Sequence, residues 1–91
     1  HPVSMDVEGV RTYKDSLVHY TMSDEEIRYI EASERPEVAF IRLWTMKEAT
    51  LKLIGTGISD DLKTAINHQQ HRYTTVERAQ YIYTVCVKKV P

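Results

Sequence analysis

The fold depends on one stretch, Trp44-Thr45-Met46-Lys47-Glu48-Ala49-Thr50-Leu51-Lys52-Leu53-Ile54-Gly55-Thr56-Gly57. Here and just upstream, side chains recur at the spacing of a helix that packs one face against a core. This stripe consists of Phe40, Leu43, Trp44, Lys47, Leu51 and Ile54. Gly55 can adopt the left-handed conformation that closes many helices, so the helix is predicted to end there. Glu48 and Lys52 lie one turn apart on the neighbouring face, which places a carboxylate and an ammonium beside the packed stripe.

The composition indicates one small domain over residues 1–91. The net charge of −1 and the absence of a basic run longer than Lys88-Lys89 argue against a nucleic-acid surface or an anionic-membrane patch. The one cysteine, Cys86, excludes an internal disulfide and fits a reducing compartment. No apolar run is long enough for a membrane span or a signal peptide. We therefore expect a soluble, cytoplasmic protein that binds neither nucleic acid nor membrane.

The first eight residues alternate in polarity, which predicts a strand with one packed face that ends at Gly9. Two sets of side chains alternate along it: Val3, Met5 and Val7 on one face, and Ser4, Asp6 and Glu8 on the other. Asp6 and Glu8 would therefore lie side by side. Two such carboxylates raise each other's pKa unless a cation joins them. A solvated polar face is the simpler interpretation of this pair, and the alternation leaves both open.

The middle of the chain contains two helix signals. Ser23 and Glu26 form a capping box, which predicts a helix from Asp24 to about Ala32. Its buried side is expected to consist of Ile27, Tyr29 and Ile30. Pro36 suits the first turn of the long helix, which we therefore extend from Pro36 to Ile54.

The last third of the chain predicts a short helix and two strands. An N-cap signal at 59–61 opens a helix to about Asn67, and the segments 72–76 and 81–87 are rich in β-branched and aromatic residues. Strand, helices and two further strands together predict an α+β unit, a small antiparallel sheet packed against the long helix. Because three strands make a small sheet, we expect a partner surface to complete the domain.

If the long helix crosses the sheet, Glu48 can approach Asp6 and Glu8. Three carboxylates without thiol or imidazole groups suit a hard cation such as Mg²⁺. Lys52, one turn beyond Glu48, would then lie where a metal-bound phosphate sits, which favours phosphoryl-type transfer. The same spacing also fits a surface ion pair between Glu48 and Lys52, worth about 0.3–0.5 kcal/mol. Spacing alone does not separate these two interpretations.

Two sequence motifs favour the metal site over the surface ion pair. Residues 44–52 resemble the W-[ST]-x-K-E-x-x-x-K signature of the 4′-phosphopantetheinyl transferases. Residues 1–8 resemble the P-[IV]-G-[IV]-D-[IV]-E segment that opens the second half of the surfactin-synthetase-activating (Sfp) type, with Ser4 in place of the usual glycine. Residues 81–87 are similar to the strand that closes that half. The resemblance implies the 4′-phosphopantetheinyl transferase fold, with this chain as the C-terminal, metal-binding one of two similar halves.

The family moves the phosphopantetheine arm of coenzyme A onto a serine of an apo acyl or peptidyl carrier protein. The reaction uses Mg²⁺ and releases adenosine 3′,5′-bisphosphate. By position, the resemblance implies that Asp6, Glu8 and Glu48 hold the metal, and that Glu48 also helps to deprotonate the serine. Lys52 would bind the pyrophosphate or protonate the leaving group. Lys47 matches the motif as a second coenzyme A contact, either with phosphate or, alternatively, with a group inside the protein.

The resemblance also implies a partner. Sfp-type enzymes bind coenzyme A between two halves, and the first half's basic residues and Ser-His motif have no counterpart here. We therefore expect a companion N-terminal half or a second subunit. The homotrimeric holo-[acyl-carrier-protein] synthase type, which shares the 47–49 and 55–57 patterns but spaces its acidic triplet differently, is an alternative. A non-catalytic domain that binds a carrier protein is another.

Overall fold

The computed structural model describes residues 2–55 and 62–90, and it confirms the α+β architecture. The elements in chain order are β1 (Val3–Gly9), α1 (Asp15–Thr21), α2 (Asp24–Ala32), α3 (Pro36–Ile54), β2 (His71–Glu77) and β3 (Tyr81–Lys88). The three strands form one antiparallel sheet in the order β1-β3-β2, and the long helix α3 packs across it.

The ends predicted for α2 and α3 are confirmed. In the capping box of α2, the Ser23 side chain accepts a hydrogen bond from the Glu26 amide at 3.2 Å, and Glu26 Oε1 accepts one from the Ser23 amide at 2.8 Å. Pro36 lies in the first turn of α3, and Gly55 closes the helix with a φ of 73°. The N-cap predicted at 59–61 lies outside the described residues. The part of that segment that the structure describes forms only a 3₁₀ turn, Leu62–Thr64, and not a helix to Asn67.

The buried surface of α3 is broader than the predicted stripe. The helix packs on the sheet with one side and on α2 with the other, so residues outside the stripe are buried as well. Ile54, which was predicted to face the core, is 49% exposed at the last position of the helix. Tyr29 on α2 was also predicted to be buried and is 49% exposed, whereas Ile30 is buried. The buried positions of α3 are Val38, Ala39, Phe40, Ile41, Thr45, Met46, Lys47, Ala49 and Thr50.

The polar face of β1 is the one that packs. Asp6 is only 5% exposed, while Met5 beside it is 52% exposed. The hydroxyl of Ser4 donates a hydrogen bond to the carbonyl of Ala49, so this face of the strand is attached directly to α3. Asp6 also lies opposite Thr84 of β3, which is fully buried.

The opposite side of the sheet is an apolar surface that we call the outer sheet face. Residues directly opposite each other in neighbouring strands share a face, so the register identifies its members. On β1 these side chains are between 50% and 61% exposed. The outer sheet face consists of Val3, Met5, Val7, Val76, Tyr81, Tyr83, Val85 and Val87, with Arg72 and Thr74 on β2.

Across residues 2–55 and 62–90, none of the helices combines the length and the apolar character that crossing a bilayer requires.

Candidate active site

The candidate site lies where the last turns of α3 cross β1. Lys52 Nζ is 2.8 Å from Asp6 Oδ1 and 3.2 Å from the carbonyl oxygen of Met5. The two elements are joined here by residues 46 positions apart in the chain. The polar face of β1 packs against the helix, which buries Asp6. The Lys52 side chain, in contrast, is 53% exposed. The ammonium therefore lies at the solvent-exposed edge of the site, and the carboxylate is buried behind it.

Glu8 and Glu48 share the electrostatic environment of Asp6. Burial is the main cause that raises the pKa of Glu8, and the nearby Asp6 and Glu48 carboxylates act in the same direction. Burial and the Asp6 charge raise the pKa of Glu48, while the Lys52 charge opposes this shift. Three carboxylates from two elements thus lie close enough to repel one another, as charged groups at short range do.

The Lys52 ammonium partly neutralises this repulsion. Its hydrogen bond with Asp6 is the main cause that raises the pKa of Lys52, and the charges of Asp6, Glu48 and Glu8 act in the same direction. A lysine with a raised pKa stays protonated at neutral pH, so Lys52 contributes a positive charge beside the three acidic groups.

The carboxylates have the donor chemistry that Mg²⁺ requires. Asp6 Oδ2 is buried and has no hydrogen-bond partner among the described residues, an arrangement that is costly unless a cation binds there. In residues 2–55 and 62–90, no three acidic, histidine or cysteine side chains are already arranged as a metal-binding set. The other oxygen of the same carboxylate, Asp6 Oδ1, contacts the Lys52 ammonium. The unpaired oxygen and the two neighbouring carboxylates fit a magnesium ion in chemistry.

An apolar cavity of about 580 Å³ adjoins the carboxylates. The sequence did not indicate this cavity, because one wall comes from α1, a seven-residue helix without a side-chain cap. Tyr20 on that helix is 75% exposed and lies at the rim. The cavity is lined by Leu17, Tyr20, Thr21, Trp44, Glu48, Leu51, Lys52, Gly55 and Leu62.

Lys47 lies on a different side of α3 from the carboxylates. Its side chain is fully buried, and its Nζ is 2.8 Å from Glu26 Oε1 on α2. The same ammonium donates to the carbonyl oxygens of Leu62 at 2.6 Å and Lys63 at 3.3 Å. This geometry favours the second of the two contacts that the sequence left open for Lys47, the contact inside the protein.

Comparison with known proteins agrees with the two motifs. Residues 2–88 match the model of the 4′-phosphopantetheinyl transferase superfamily. The chain is also 35% identical over 65 residues to the 4′-phosphopantetheinyl transferase psf-1 of Bacillus pumilus, an alignment that covers 69% of this chain and 28% of that protein. The aligned part is thus well under half the length of the relative. With the family model matching almost from end to end, this chain belongs to the 4′-phosphopantetheinyl transferase superfamily.

Proposed function

We propose that this chain is the metal-bearing half of a cytoplasmic enzyme that transfers the 4′-phosphopantetheine arm of coenzyme A to a serine of an apo carrier protein. The observation that supports this most directly is the meeting of Asp6, Glu8, Glu48 and Lys52 where α3 crosses β1. The same four residues carry the motifs that resemble the family. The relative psf-1 bears the name of this activity.

In the proposed reaction, the carrier serine oxygen attacks the phosphorus atom that bears the pantetheine arm. A new oxygen–phosphorus bond forms, and the bond to the bridging pyrophosphate oxygen breaks. Adenosine 3′,5′-bisphosphate leaves. Glu48 accepts the serine proton, directly or through a water molecule, because it lies at the cavity through which a substrate group can approach. Lys52 stabilises the negative charge that develops on the leaving phosphate.

Magnesium bound by Asp6, Glu8 and Glu48 would neutralise pyrophosphate charge and orient it for in-line attack. Asp6 contributes the buried, unpaired oxygen, and its neighbours contribute the remaining carboxylates. Lys52 has a long, half-exposed side chain, so its ammonium can exchange the Asp6 carboxylate for a phosphate oxygen. In this proposal the carboxylates would hold the metal, and Lys52 would be the cation that binds the substrate phosphate.

The outer sheet face supports a companion half as the partner. A three-stranded sheet with an apolar, solvent-exposed face is the kind of surface that another domain covers. Val3 is 61% exposed and Met5 is 52% exposed, and only Arg72 carries a charge on this face. The relative psf-1 is much longer than the part that aligns with this chain. We infer that the additional part of such a protein contains the half that covers the outer sheet face. A second copy of this chain, as in the synthase type, is the competing occupant.

The test combines the chain with a companion half, coenzyme A, Mg²⁺ and an apo carrier protein. Mass spectrometry should show conversion of the carrier to its phosphopantetheinylated form. Glu48→Ala should abolish this conversion, because it removes both a metal ligand and the proton acceptor. Glu31→Ala, which changes an exposed acid on α2, is the matched control and should keep the wild-type rate.

A wild-type rate in the Glu48→Ala variant would contradict the mechanism. Sedimentation of the chain alone distinguishes the two occupants of the outer sheet face. A homotrimer that is active without any companion would support the synthase type, whereas activity that appears only when a companion half is added supports the proposal.

A further inference from the structure

Lys47 combines complete burial with a charge, and the catalytic proposal does not explain it. Its side chain is 0% exposed, although burying an ammonium is costly unless it is paired and hydrogen-bonded. The ammonium lies 2.8 Å from Glu26 Oε1, so an ion pair compensates part of this cost. An apolar side chain of similar length would fill the same space without any cost of desolvation. The charge must therefore do something that packing alone does not.

The Glu26 carboxylate is also held by the capping box of its own helix. The oxygen that contacts Lys47 also accepts the hydrogen bond from the Ser23 amide in the capping box, at 2.8 Å. A helix N-terminus stabilises a carboxylate at this position. The first turn of α2 therefore holds the carboxylate in place, and the carboxylate in turn fixes the position of the Lys47 ammonium.

Lys47 also contacts a segment that has little regular structure. Nζ donates to the carbonyl oxygens of Leu62 and Lys63, which begin the 3₁₀ turn before β2. The Leu62 carbonyl also accepts a hydrogen bond from the Ala65 amide at 3.3 Å within the turn, and the buried ammonium is a second donor that stabilises this conformation of the turn. Lys47 thus joins α2, α3 and this turn at one point.

The turn held by Lys47 forms part of the cavity beside the carboxylates. Leu62 lines the cavity together with Glu48 and Lys52. Lys47 also immediately precedes Glu48 on α3. Its contacts therefore hold in place a residue that lines the same cavity as the proposed proton acceptor, although its own ammonium points toward α2 and the turn.

We propose that Lys47 is a positioning residue: its ammonium, held by Glu26, fixes the Leu62–Thr64 turn and so maintains the part of the cavity wall that Leu62 forms. In this role Lys47 does not contact the phosphates of coenzyme A, in contrast to Lys52. The inference rests on the proposed function only for its effect on the rate. The structural part, the fixing of the turn, stands independently.

The test compares Lys47→Met, Glu26→Gln and the double variant in the complex with the companion half, with Glu25→Gln as the control. Glu25 is an exposed acid in the same first turn of α2. Hydrogen exchange should be faster at the amides of residues 62–65 in both single variants and unchanged in Glu25→Gln. The kcat should fall about 10–100-fold, the effect typical of groups that orient catalytic residues. The KM for coenzyme A should change less than about twofold, because uniform substrate binding is retained.

Two results would overturn the inference. One is a large rise in the KM for coenzyme A in Lys47→Met while Glu26→Gln behaves like the wild type, which is the pattern of a phosphate ligand. The other is unchanged exchange at residues 62–65 in both single variants. If Lys47→Met does not fold, Glu26→Gln decides, since it keeps the lysine and removes only the charge that holds it. A wild-type complex without transferase activity would contradict the proposed function but leave the exchange result valid.

Discussion

The two faces of β1 reverse the usual relation between polarity and burial. The inner face carries Ser4, Asp6 and Glu8 and packs against α3, while the outer face carries Val3, Met5 and Val7 and is exposed. Apolar side chains are ordinarily the buried ones, so a buried polar face and a large exposed apolar face are both informative. Under the proposed function, each face would serve a partner: a cation on the inside and another domain on the outside.

Each face is also energetically incomplete in the isolated chain. On the inner face, three neighbouring carboxylates repel one another, and Asp6 Oδ2 has no hydrogen-bond partner among the described residues. On the outer face, apolar area stays in contact with water. Changes confined to one face should therefore affect one partner and leave the other unaffected.

The largest effect is expected on the inner face, from Asp6→Asn. This change keeps the shape of the side chain but removes the charge that binds Lys52 and would bind Mg²⁺. Transferase activity should fall by more than the roughly 10–100-fold that the loss of a second-sphere group costs. Assays with the companion half measure this, and Asp24→Asn, at an exposed acid, is the control. Association with the companion should be unchanged, and a loss of association would show that the two faces are not independent.

The next effect is expected on the outer face, from Met5→Glu. A charge placed at the centre of an apolar contact should weaken association with the companion by roughly 30-fold or more, the size of a hot-spot substitution. Analytical ultracentrifugation or titration calorimetry measures this. Tyr29→Glu is the matched control, because Tyr29 is 49% exposed and Met5 is 52% exposed. If both variants bind the companion equally well, the outer sheet face is not the interface.

A smaller effect is expected on the free energy of unfolding, and it should differ between the inner and outer faces of the sheet. Thr84 is fully buried, and its hydroxyl lies 2.8 Å from those of Thr45 and Thr75. Thr84→Val should lower the free energy of unfolding by about 1–3 kcal/mol, because it leaves buried hydroxyls with fewer partners. Thr74→Val, on the exposed outer face of β2, should lower it little or not at all. Urea denaturation provides the comparison, and equal losses in the two variants would contradict the assignment of faces.

The smallest effect is a gain in stability from Glu48→Gln without metal. Burial and the Asp6 charge raise the pKa of Glu48 above its ordinary 4.5, so the folded protein binds this proton more tightly than the unfolded one. Stability must then fall as the pH rises above that value, and the variant avoids this loss. Since the side chain is half-buried and screened by solvent, the gain at neutral pH should stay below about 1 kcal/mol.

Thermal melts at several pH values measure this gain, which should disappear toward acidic pH. Added Mg²⁺ should raise the melting temperature of the wild type more than that of Glu48→Gln, since a ligand stabilises the state that binds it. A variant that melts below the wild type at neutral pH without metal would contradict the repulsion between the carboxylates.

Features with local causes were predictable from the sequence. The capping box at Ser23, the closing turn at Gly55 and the three strands all depend on residues close in the chain, and the structure confirms them. The packed face of β1 was not determined in this way. Alternation defines two faces, but which of them packs depends on α3, where the Ala49 carbonyl and the Lys52 ammonium supply polar partners.

The site was predictable in part for the same reason. The motifs identify Asp6, Glu8, Glu48 and Lys52 as chemically distinctive, and the structure places these four together. The burial of Lys47 depends on Glu26 and on the turn at Leu62, neither of which is its neighbour in sequence. The cavity depends on α1, whose seven residues contain too few turns for a periodic signal.

The packing of β1 also has a consequence for the order of folding events. A shift of one residue in its pairing with β3 would turn Val3, Met5 and Val7 onto α3 and expose both carboxylates to water. Hydrophobic burial by itself favours that shifted register. The native register is selected by the bonds from Ser4 to Ala49 and from Lys52 to Asp6, and both require α3 to be formed and in place. We therefore expect β1 to be among the last elements to reach its final pairing.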